Sequence, residues 1–324
     1  MSRTRREYLR EVGRGGGILV GLSVAGCSEA PSGSEQPTPV RIGSKPFTEQ
    51  RILGYLALER LKQVSQIQVV DEIGYGNTLE NWTAVRDGVK HLYWEYTGTA
   101  WRRLPPRRDE RITDPQELYS KASTDASEQG IRMARPAAYS NNWVIAVTRA
   151  WSERTGVETI SEFAAHVTGG NTDFRVAFNE DFYIRPDAWP GVADFYGIPP
   201  QVRQAIESGT FYVTSTGLTY ELLTEGRVDV ASGFATNPQL DRDEIVELAD
   251  DQTYFIPYQP SPTAYAPRIE DHPVIFDALS PVVSSLDEAT IRRLNHQVVV
   301  DGRQPQAVAS EHLATVSDWG GTDA

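Results

Sequence analysis

The chain has 324 residues, of which 40% are hydrophobic and 23% are charged, so it is long enough for two modest domains with buried cores. Its net charge of −13 argues against a nucleic-acid-binding protein, because contacts to phosphates need clustered cations. One cysteine excludes internal disulfides, five scattered histidines show no metal-ligand spacing, and no apolar run is long enough to span a bilayer, so we predict no metal, no cofactor and no spanning helix.

Lysine is scarce in this acidic chain, since four of the 31 basic residues are lysines and the others are arginines. Acidic surfaces with little lysine stay hydrated in concentrated salt, where charge repulsion is screened within a few Å. The composition favours a protein from a halophile, and the alternative is an ordinary acidic extracytoplasmic protein.

The first 26 residues are predicted to be an export signal. The run Thr4 to Arg10 (TRREYLR) resembles a twin-arginine signal, and a short glycine-rich apolar stretch follows it. The run Val24 to Cys27 (VAGC) resembles a lipobox, which implies cleavage before Cys27 and lipidation of its sulfur. Two lipid chains on Cys27 would hold the mature protein on the cell membrane.

A polar segment rich in proline and serine follows at residues 27–39, which predicts a flexible tether before the folded part. Further on, the triplet Asn81-Trp82-Thr83 fits an N-glycosylation acceptor, a pattern that also arises by chance. The sequence leaves open whether Asn81 carries a glycan.

Strand-like and helix-like segments alternate from Val40 onward, which predicts α/β layers with buried sheets. We expect strands at 39–43, 67–70 and 142–147, and helices at 49–63 after a capping Thr48, from Pro115 after a capping Asp114, and at 161–167. Two segments, 78–94 and 216–231, share a plan of capped helix, glycine and strand, which suggests two lobes built from one unit.

The chain shows no nucleophile elbow, P-loop or dinucleotide-binding motif, but its many carboxylates leave a hydrolase with paired acids open. Aromatic residues are more informative, because many lie beside Thr, Asn or Gly rather than inside apolar runs. Ring faces can hold a quaternary ammonium, which has no N–H to donate, at about 0.5–2 kcal/mol per ring. Core packing is the alternative role for each ring.

Five segments in chain order carry a resemblance: IGSKPFTEQ with ILG (42–54), EYTGTA (95–100), RPDAWPG (185–191), GLTY with GRVDV (217–230), and LNHQV with DG (294–302). Together they resemble the glycine betaine/choline-type substrate-binding proteins of ABC transporters. The resemblance implies a two-lobed type II periplasmic-binding-protein fold, an α/β fold with a ligand cleft between the lobes. It places 40–140 and 237–324 in the first lobe and 141–236 in the second, with crossings near Tyr139–Asn142 and Phe234–Pro238.

The resemblance also implies ligand-binding residues. Lys45 and Arg185 would face a ligand carboxylate, and Thr99 would donate a hydroxyl. The aromatic candidates for a cage around the ammonium are Tyr96, Trp143, Tyr212, Tyr220 and Phe234. The sequence leaves open which of Tyr212 and Tyr220 faces the ligand.

The expected function is capture of a quaternary-ammonium compatible solute, such as glycine betaine, by a lipid-anchored extracytoplasmic monomer. The protein would deliver its ligand to an ABC permease and its ATPase, with no chemical step. The alternatives are the same fold binding choline, carnitine, ectoine or an amino acid, a surface-anchored hydrolase, and a sensory or scaffold domain.

Overall fold

The computed structural model describes residues 38–316. The predicted export signal, Cys27 and all but the end of the predicted tether lie outside the described residues. Within 38–316, no helix is both long and apolar enough to cross a membrane.

Strands alternate with single helices over residues 38–103, as the sequence predicts, and farther along two or more helices or strands often follow each other directly. The strands are β1 (Thr38–Gly43), β2 (Ile67–Glu72), β3 (Leu92–Tyr96), β4 (Ile131–Met133), β5 (Trp143–Thr148), β6 (Val176–Asn179), β7 (Phe211–Thr214), β8 (Val230–Phe234), β9 (Ile245–Glu247) and β10 (Pro260–Tyr265). The helices are α1 (Thr48–Leu61), α2 (Thr78–Arg86), α3 (Thr97–Arg103), α4 (Pro115–Ser127), α5 (Arg149–Thr155), α6 (Ile160–Thr168), α7 (Glu180–Ile184), α8 (Trp189–Phe195), α9 (Pro200–Glu207), α10 (Thr216–Thr224), α11 (Ala266–Asp271), α12 (Val274–Ser284), α13 (Glu288–Val299) and α14 (Pro305–Thr315).

The first sheet has the strand order β2-β1-β3-β10-β4. β1 is parallel to β2 and β3, and β10 is antiparallel to β3 and β4. Ile42 on β1 and Leu53 on α1 are fully buried in a core that also holds Leu279, Leu294 and Leu313 from α12, α13 and α14. This sheet with α1–α4 and α11–α14, here called the first half, is therefore built from both ends of the described chain.

The second sheet has the order β7-β6-β8-β5-β9. β6 is parallel to β7 and β8, and β5 is antiparallel to β8 and β9. Alternate residues of β5 face two cores, because side chains alternate along a strand: Trp143 and Ile145 face one core, and Val144 and Ala146 face the other. This sheet with α5–α10 is called the second half.

Helix starts follow the predicted capping in one case and depart from it in another. Asp114 caps α4, since its side chain accepts a hydrogen bond from the Glu117 N–H at 2.7 Å. Thr48 is instead the first residue of α1, and Phe47 occupies the cap position without a side-chain cap bond. The strand predicted from Val89 begins only at Leu92, because the N–H groups of Val89 and Lys90 still close the end of α2 on the Ala84 carbonyl.

The chain leaves the first sheet after Met133 and joins the second at Trp143, and the predicted crossing at Tyr139–Asn142 lies within this connection. The predicted return near Phe234–Pro238 is too early. β9 pairs with β5, and Phe255 packs in the core of the second half, so the chain rejoins the first sheet only at β10. A three-residue strand leaves too short a pattern to read from sequence.

The glycosylation candidate Asn81 is fully buried. Its Nδ2 donates to the carbonyls of Gly76 and Asn77, and its Oδ1 accepts a bond from Lys90 Nζ at 2.8 Å. The folded protein therefore does not present this amide for glycosylation.

Candidate functional site

Four aromatic rings form a row between the two halves, here called the aromatic row. The Phe47 ring lies 6.4 Å from the Tyr96 ring and 6.3 Å from the Phe234 ring, centroid to centroid, with interplanar angles of 17° and 18°. The Phe234 ring stacks on the Trp143 ring at 4.4 Å. The first half supplies Phe47 and Tyr96, and the second half supplies the other two.

Local structure explains why these rings meet. Trp143 begins β5, Phe234 ends β8, and the two are direct partners in the antiparallel register, which places their side chains on one face. Tyr96 ends β3, and Phe47 lies at the start of α1. The row thus forms where strand ends and a helix start converge, as in other α/β binding clefts.

A cation lies at each end of the aromatic row. Lys45 Nζ is 5.1 Å from the Tyr96 ring centroid, and Arg185 Cζ is 5.5 Å from the Trp143 ring centroid. Both separations suit cation–π attraction, which is stronger away from water.

The Lys45 ammonium is already paired inside the protein. Its Nζ is 2.5 Å from Oε1 of Glu95, which also accepts a bond from the Tyr96 N–H, while Oε2 accepts one from the Tyr93 hydroxyl. Burial lowers the pKa of Lys45, and Glu95 opposes that shift. The sequence predicts Lys45 beside a ligand carboxylate, whereas here its partner is a carboxylate of the protein.

Arg185 is paired in the same way. Its Nε and Nη2 donate to the two oxygens of Asp187 at 3.0 and 2.6 Å, and the Tyr258 hydroxyl donates to Asp187 Oδ2 at 3.0 Å. Burial lowers the pKa of Arg185, but the bond to Asp187 and nearby negative charge outweigh this effect and raise it overall. Burial likewise raises the pKa of Asp187, but Arg185 outweighs it and holds that pKa below its usual value.

A cavity of about 400 Å³ lies beside Arg185. Residues from both halves line it: Asn77, Thr78, Leu79, Thr99, Arg102, Arg103, Leu104 and Arg107 from the first half, and Asp181 and Arg185 from the second. The lining is rich in arginine in a protein whose net charge is negative. The cavity therefore favours a ligand with an anionic end.

Most of the residues predicted from the sequence lie together. Lys45, Tyr96, Trp143, Arg185 and Phe234 form or flank the aromatic row, and the buried Thr99 lines the cavity.

The structure does not bring Tyr212 or Tyr220 to the aromatic row or the cavity. Tyr212 is 43% exposed on the edge strand β7. Tyr220 is fully buried against Gly233, in the core that lies on the opposite face of the second sheet from Trp143. A side chain at Gly233 would collide with the Tyr220 ring, which explains why this position is glycine.

Sequence reasoning missed Phe47, Asp187 and Asp181 as members of the site. Phe47 lies two residues after Lys45 in the first resembling segment, and Asp187 lies two residues after Arg185 in the third. Those spacings were the available signal. Among the residues that the structure describes, no group of three or more His, Cys, Asp or Glu side chains could hold a metal ion.

Comparison with known proteins extends over nearly all of the described range. A family model described as the substrate binding domain of ABC-type glycine betaine transport system matches residues 38–315. The substrate-binding protein of a chemotactic signal transduction system in Halobacterium salinarum is 30% identical, covering 84% of this chain and 82% of its own length. A glycine-betaine-binding protein of Pseudomonas aeruginosa is 28% identical, covering 90% of this chain and 92% of its own length.

A solved structure shows the same fold. The crystal structure of a glycine betaine/carnitine/choline ABC transporter superposes with a TM-score of 0.69 at 21% identity, covering 85% of this chain and 97% of the other. The α/β fold class predicted from the sequence is thereby confirmed.

Proposed function

The chain belongs to the family of substrate-binding domains of ABC-type glycine betaine transport systems, and from that premise we propose that it binds a quaternary-ammonium compatible solute such as glycine betaine. The family consists of substrate-binding proteins of ABC importers rather than enzymes. The observation that carries the proposal for this ligand is the aromatic row, with a paired cation at each end and an arginine-lined cavity beside it.

The ligand's ammonium would lie against the rings of Phe47 and Phe234. These two rings keep some exposure to solvent, whereas Tyr96 and Trp143 are buried and each has a cation on the ring. Each ring would contribute about 0.5–2 kcal/mol to binding a cation that has no N–H. Tyr96 and Trp143 would pack against Phe47 and Phe234 and hold these two rings in place.

The ligand's carboxylate would point into the cavity. Arg185 donates to Asp187 through Nε and Nη2, so a ligand carboxylate would meet Nη1 and the hydroxyl of Thr99. Lys45 would act indirectly rather than by contacting the ligand. It would pair with Glu95 and lie against the ring of Tyr96.

The wider setting follows from the family and from the N-terminal sequence. Members of this family work outside the cytoplasm with an ABC permease and its ATPase. We further propose twin-arginine export, lipidation of Cys27, anchoring to the membrane and a monomeric state. The acidic, lysine-poor composition supports a halophilic source, where uptake of a neutral osmolyte balances external salt.

A second candidate function is chemotactic sensing of the same class of solute. The relative in Halobacterium salinarum, at 30% identity, is named as the substrate-binding protein of a chemotactic signal transduction system. In that case the loaded protein would contact a transducer instead of, or as well as, a permease. Deleting the gene and measuring betaine uptake and swimming toward betaine separately would distinguish the two functions.

Calorimetric titration of the purified full chain in molar KCl tests the ligand assignment, with tryptophan fluorescence followed in parallel. We expect micromolar binding of glycine betaine that is lost in Trp143→Ala and in Arg185→Ala. If the folded protein does not bind glycine betaine, the betaine assignment is wrong, and a panel of choline, carnitine, ectoine and amino acids would then identify the ligand.

A further inference from the structure

Glu49, in the first turn of α1, is a buried carboxyl group surrounded by polar side chains. Its partners come from β3, from the connection into the second half, from the segment after β8, and from α13. On Oε1 they are Tyr96 Oη at 2.8 Å, Tyr139 Oη at 3.1 Å and Asn141 Nδ2 at 3.3 Å, and on Oε2 they are Thr236 Oγ1 at 2.6 Å and Asn295 Nδ2 at 3.4 Å.

Three of these groups form a closed ring of contacts. Glu49 contacts Thr236 and Asn141, and Thr236 Oγ1 lies 3.0 Å from Oδ1 of Asn141. Three contacts need three hydrogens. The Thr236 hydroxyl supplies one hydrogen. The Asn141 amide turns its NH2 group toward one neighbour and its oxygen toward the other, so it also supplies one hydrogen.

Reversing the amide of Asn141 does not change this count. If Asn141 donates to Glu49, Thr236 donates to Asn141, and Glu49 must donate to Thr236. If the amide is reversed, Asn141 donates to Thr236, Thr236 donates to Glu49, and Glu49 must donate to Asn141. In both arrangements the third hydrogen belongs to the carboxyl group.

The geometry points to Glu49 as a neutral carboxylic acid in the native protein, whose proton closes this ring and positions the aromatic row. Burial supports this assignment, because it raises the pKa of Glu49 against the opposing effect of its hydrogen bonds. The titratable groups that face it are the phenols of Tyr96 and Tyr139, both with a raised pKa.

Two cations, Lys45 and Arg292, lie near Glu49 or its partners in the sequence and are engaged with other groups. Lys45 pairs with Glu95. Arg292, one turn before Asn295 on α13, binds the Ala235 carbonyl and pairs with Asp241 and Glu288.

Glu49 contacts residues that position the aromatic row in both halves of the molecule. It accepts a bond from the Tyr96 hydroxyl in the first half. Asn141 lies two residues before Trp143, and Thr236 lies two residues after Phe234, so the ring also fixes the ends of the strand pair that carries those two rings. Glu49 is therefore a positioning residue for the site, and its protonation does not depend on which solute binds there.

Infrared spectroscopy of the full chain without ligand tests the proton directly. We expect the carbonyl band of a protonated carboxylic acid at neutral pH, lost in Glu49→Gln and retained in the matched control Glu72→Gln, whose carboxylate pairs with Arg41 near the surface. If Glu49→Gln does not fold, Thr236→Val serves instead, and it should shift the band by removing the hydroxyl that the acid contacts. A spectrum in which neither variant changes an acid band overturns the proposal.

The pH dependence of unfolding provides a second test. Glu49 keeps its proton in the folded state. In the unfolded state it loses the proton once the pH exceeds 4.5, the ordinary pKa of a glutamate side chain. The wild type should therefore lose stability relative to Glu49→Gln as the pH rises. The ratio of their folding constants should fall by up to about ten-fold per pH unit until the folded pKa is passed. A ratio that stays constant or rises with pH between about 5 and 8 means that Glu49 is ionised in the native state.

Discussion

The ring of Phe47 lies nearly parallel to the ring of Phe234, 6.3 Å away, although the two residues belong to different halves of the molecule. Phe47 is 38% exposed, so its position depends more on neighbouring rings than on a surrounding core. The pair therefore presents exposed aromatic surface between the two halves.

Removing the central ring should weaken ligand binding more than it weakens the fold. We expect Phe47→Ala to reduce affinity for glycine betaine about ten-fold, or roughly 1.4 kcal/mol, because a ring face is lost. The unfolding midpoint should change little, since the side chain is partly exposed. Calorimetric titration beside Tyr75→Ala, which removes a ring that is 72% exposed, provides the comparison, and an unchanged affinity would place the ligand elsewhere.

Arg185 should discriminate between ligands with and without a carboxylate. Arg185→Gln should weaken binding of glycine betaine by about 2–3 kcal/mol and weaken binding of choline much less, because choline has no anionic end. The exposed pair of Arg86 and Asp87 offers a matched control, and Arg86→Gln should leave both affinities unchanged. Equal losses for the two ligands would argue against a carboxylate at Arg185.

The buried pair of Lys45 and Glu95 should show strong coupling in stability. Lys45→Met leaves Glu95 buried without its cation and should cost about 3–5 kcal/mol. The double variant Lys45→Met with Glu95→Gln should recover most of that loss, because no charge then remains unpaired. Denaturant unfolding of the wild type, both single variants and the double variant measures the coupling, and additive effects would contradict it.

Tyr220 should behave as a core residue. Within the described chain its buried hydroxyl lacks a hydrogen-bond partner, so Tyr220→Phe should leave ligand affinity unchanged and increase stability by up to about 1 kcal/mol. A loss of ligand affinity in this variant would restore Tyr220 to the site.

Local sequence signals predict much of the fold. Asp114 was predicted to cap a helix and does so, and the apolar strand near Trp143 lies within one residue of its predicted start. The recognised family is confirmed by the family model, which matches residues 38–315. The boundary near residue 237 failed because β9 has three residues, too few for an alternating pattern.

The site is harder to predict, because its contacts are distant in sequence. Phe47 meets Phe234, and Glu49 meets Thr236, across separations that no local pattern encodes. The sequence also shows which residues are charged but not how they pair. Lys45 and Arg185 were predicted to face a ligand carboxylate, whereas the fold supplies Glu95 and Asp187 as their partners.

The first half is built from both ends of the described chain, and this connectivity constrains the order in which the two halves fold. α1 packs against β1, β2 and β3 and also against α12, α13 and α14, so its apolar surface is fully covered only after the last described helix has been synthesised. The second half has all its strands between residues 143 and 247 and can form its sheet earlier. During translation, therefore, the second half can fold before the chain that completes the first half has been synthesised. The cleft between the halves is then completed last.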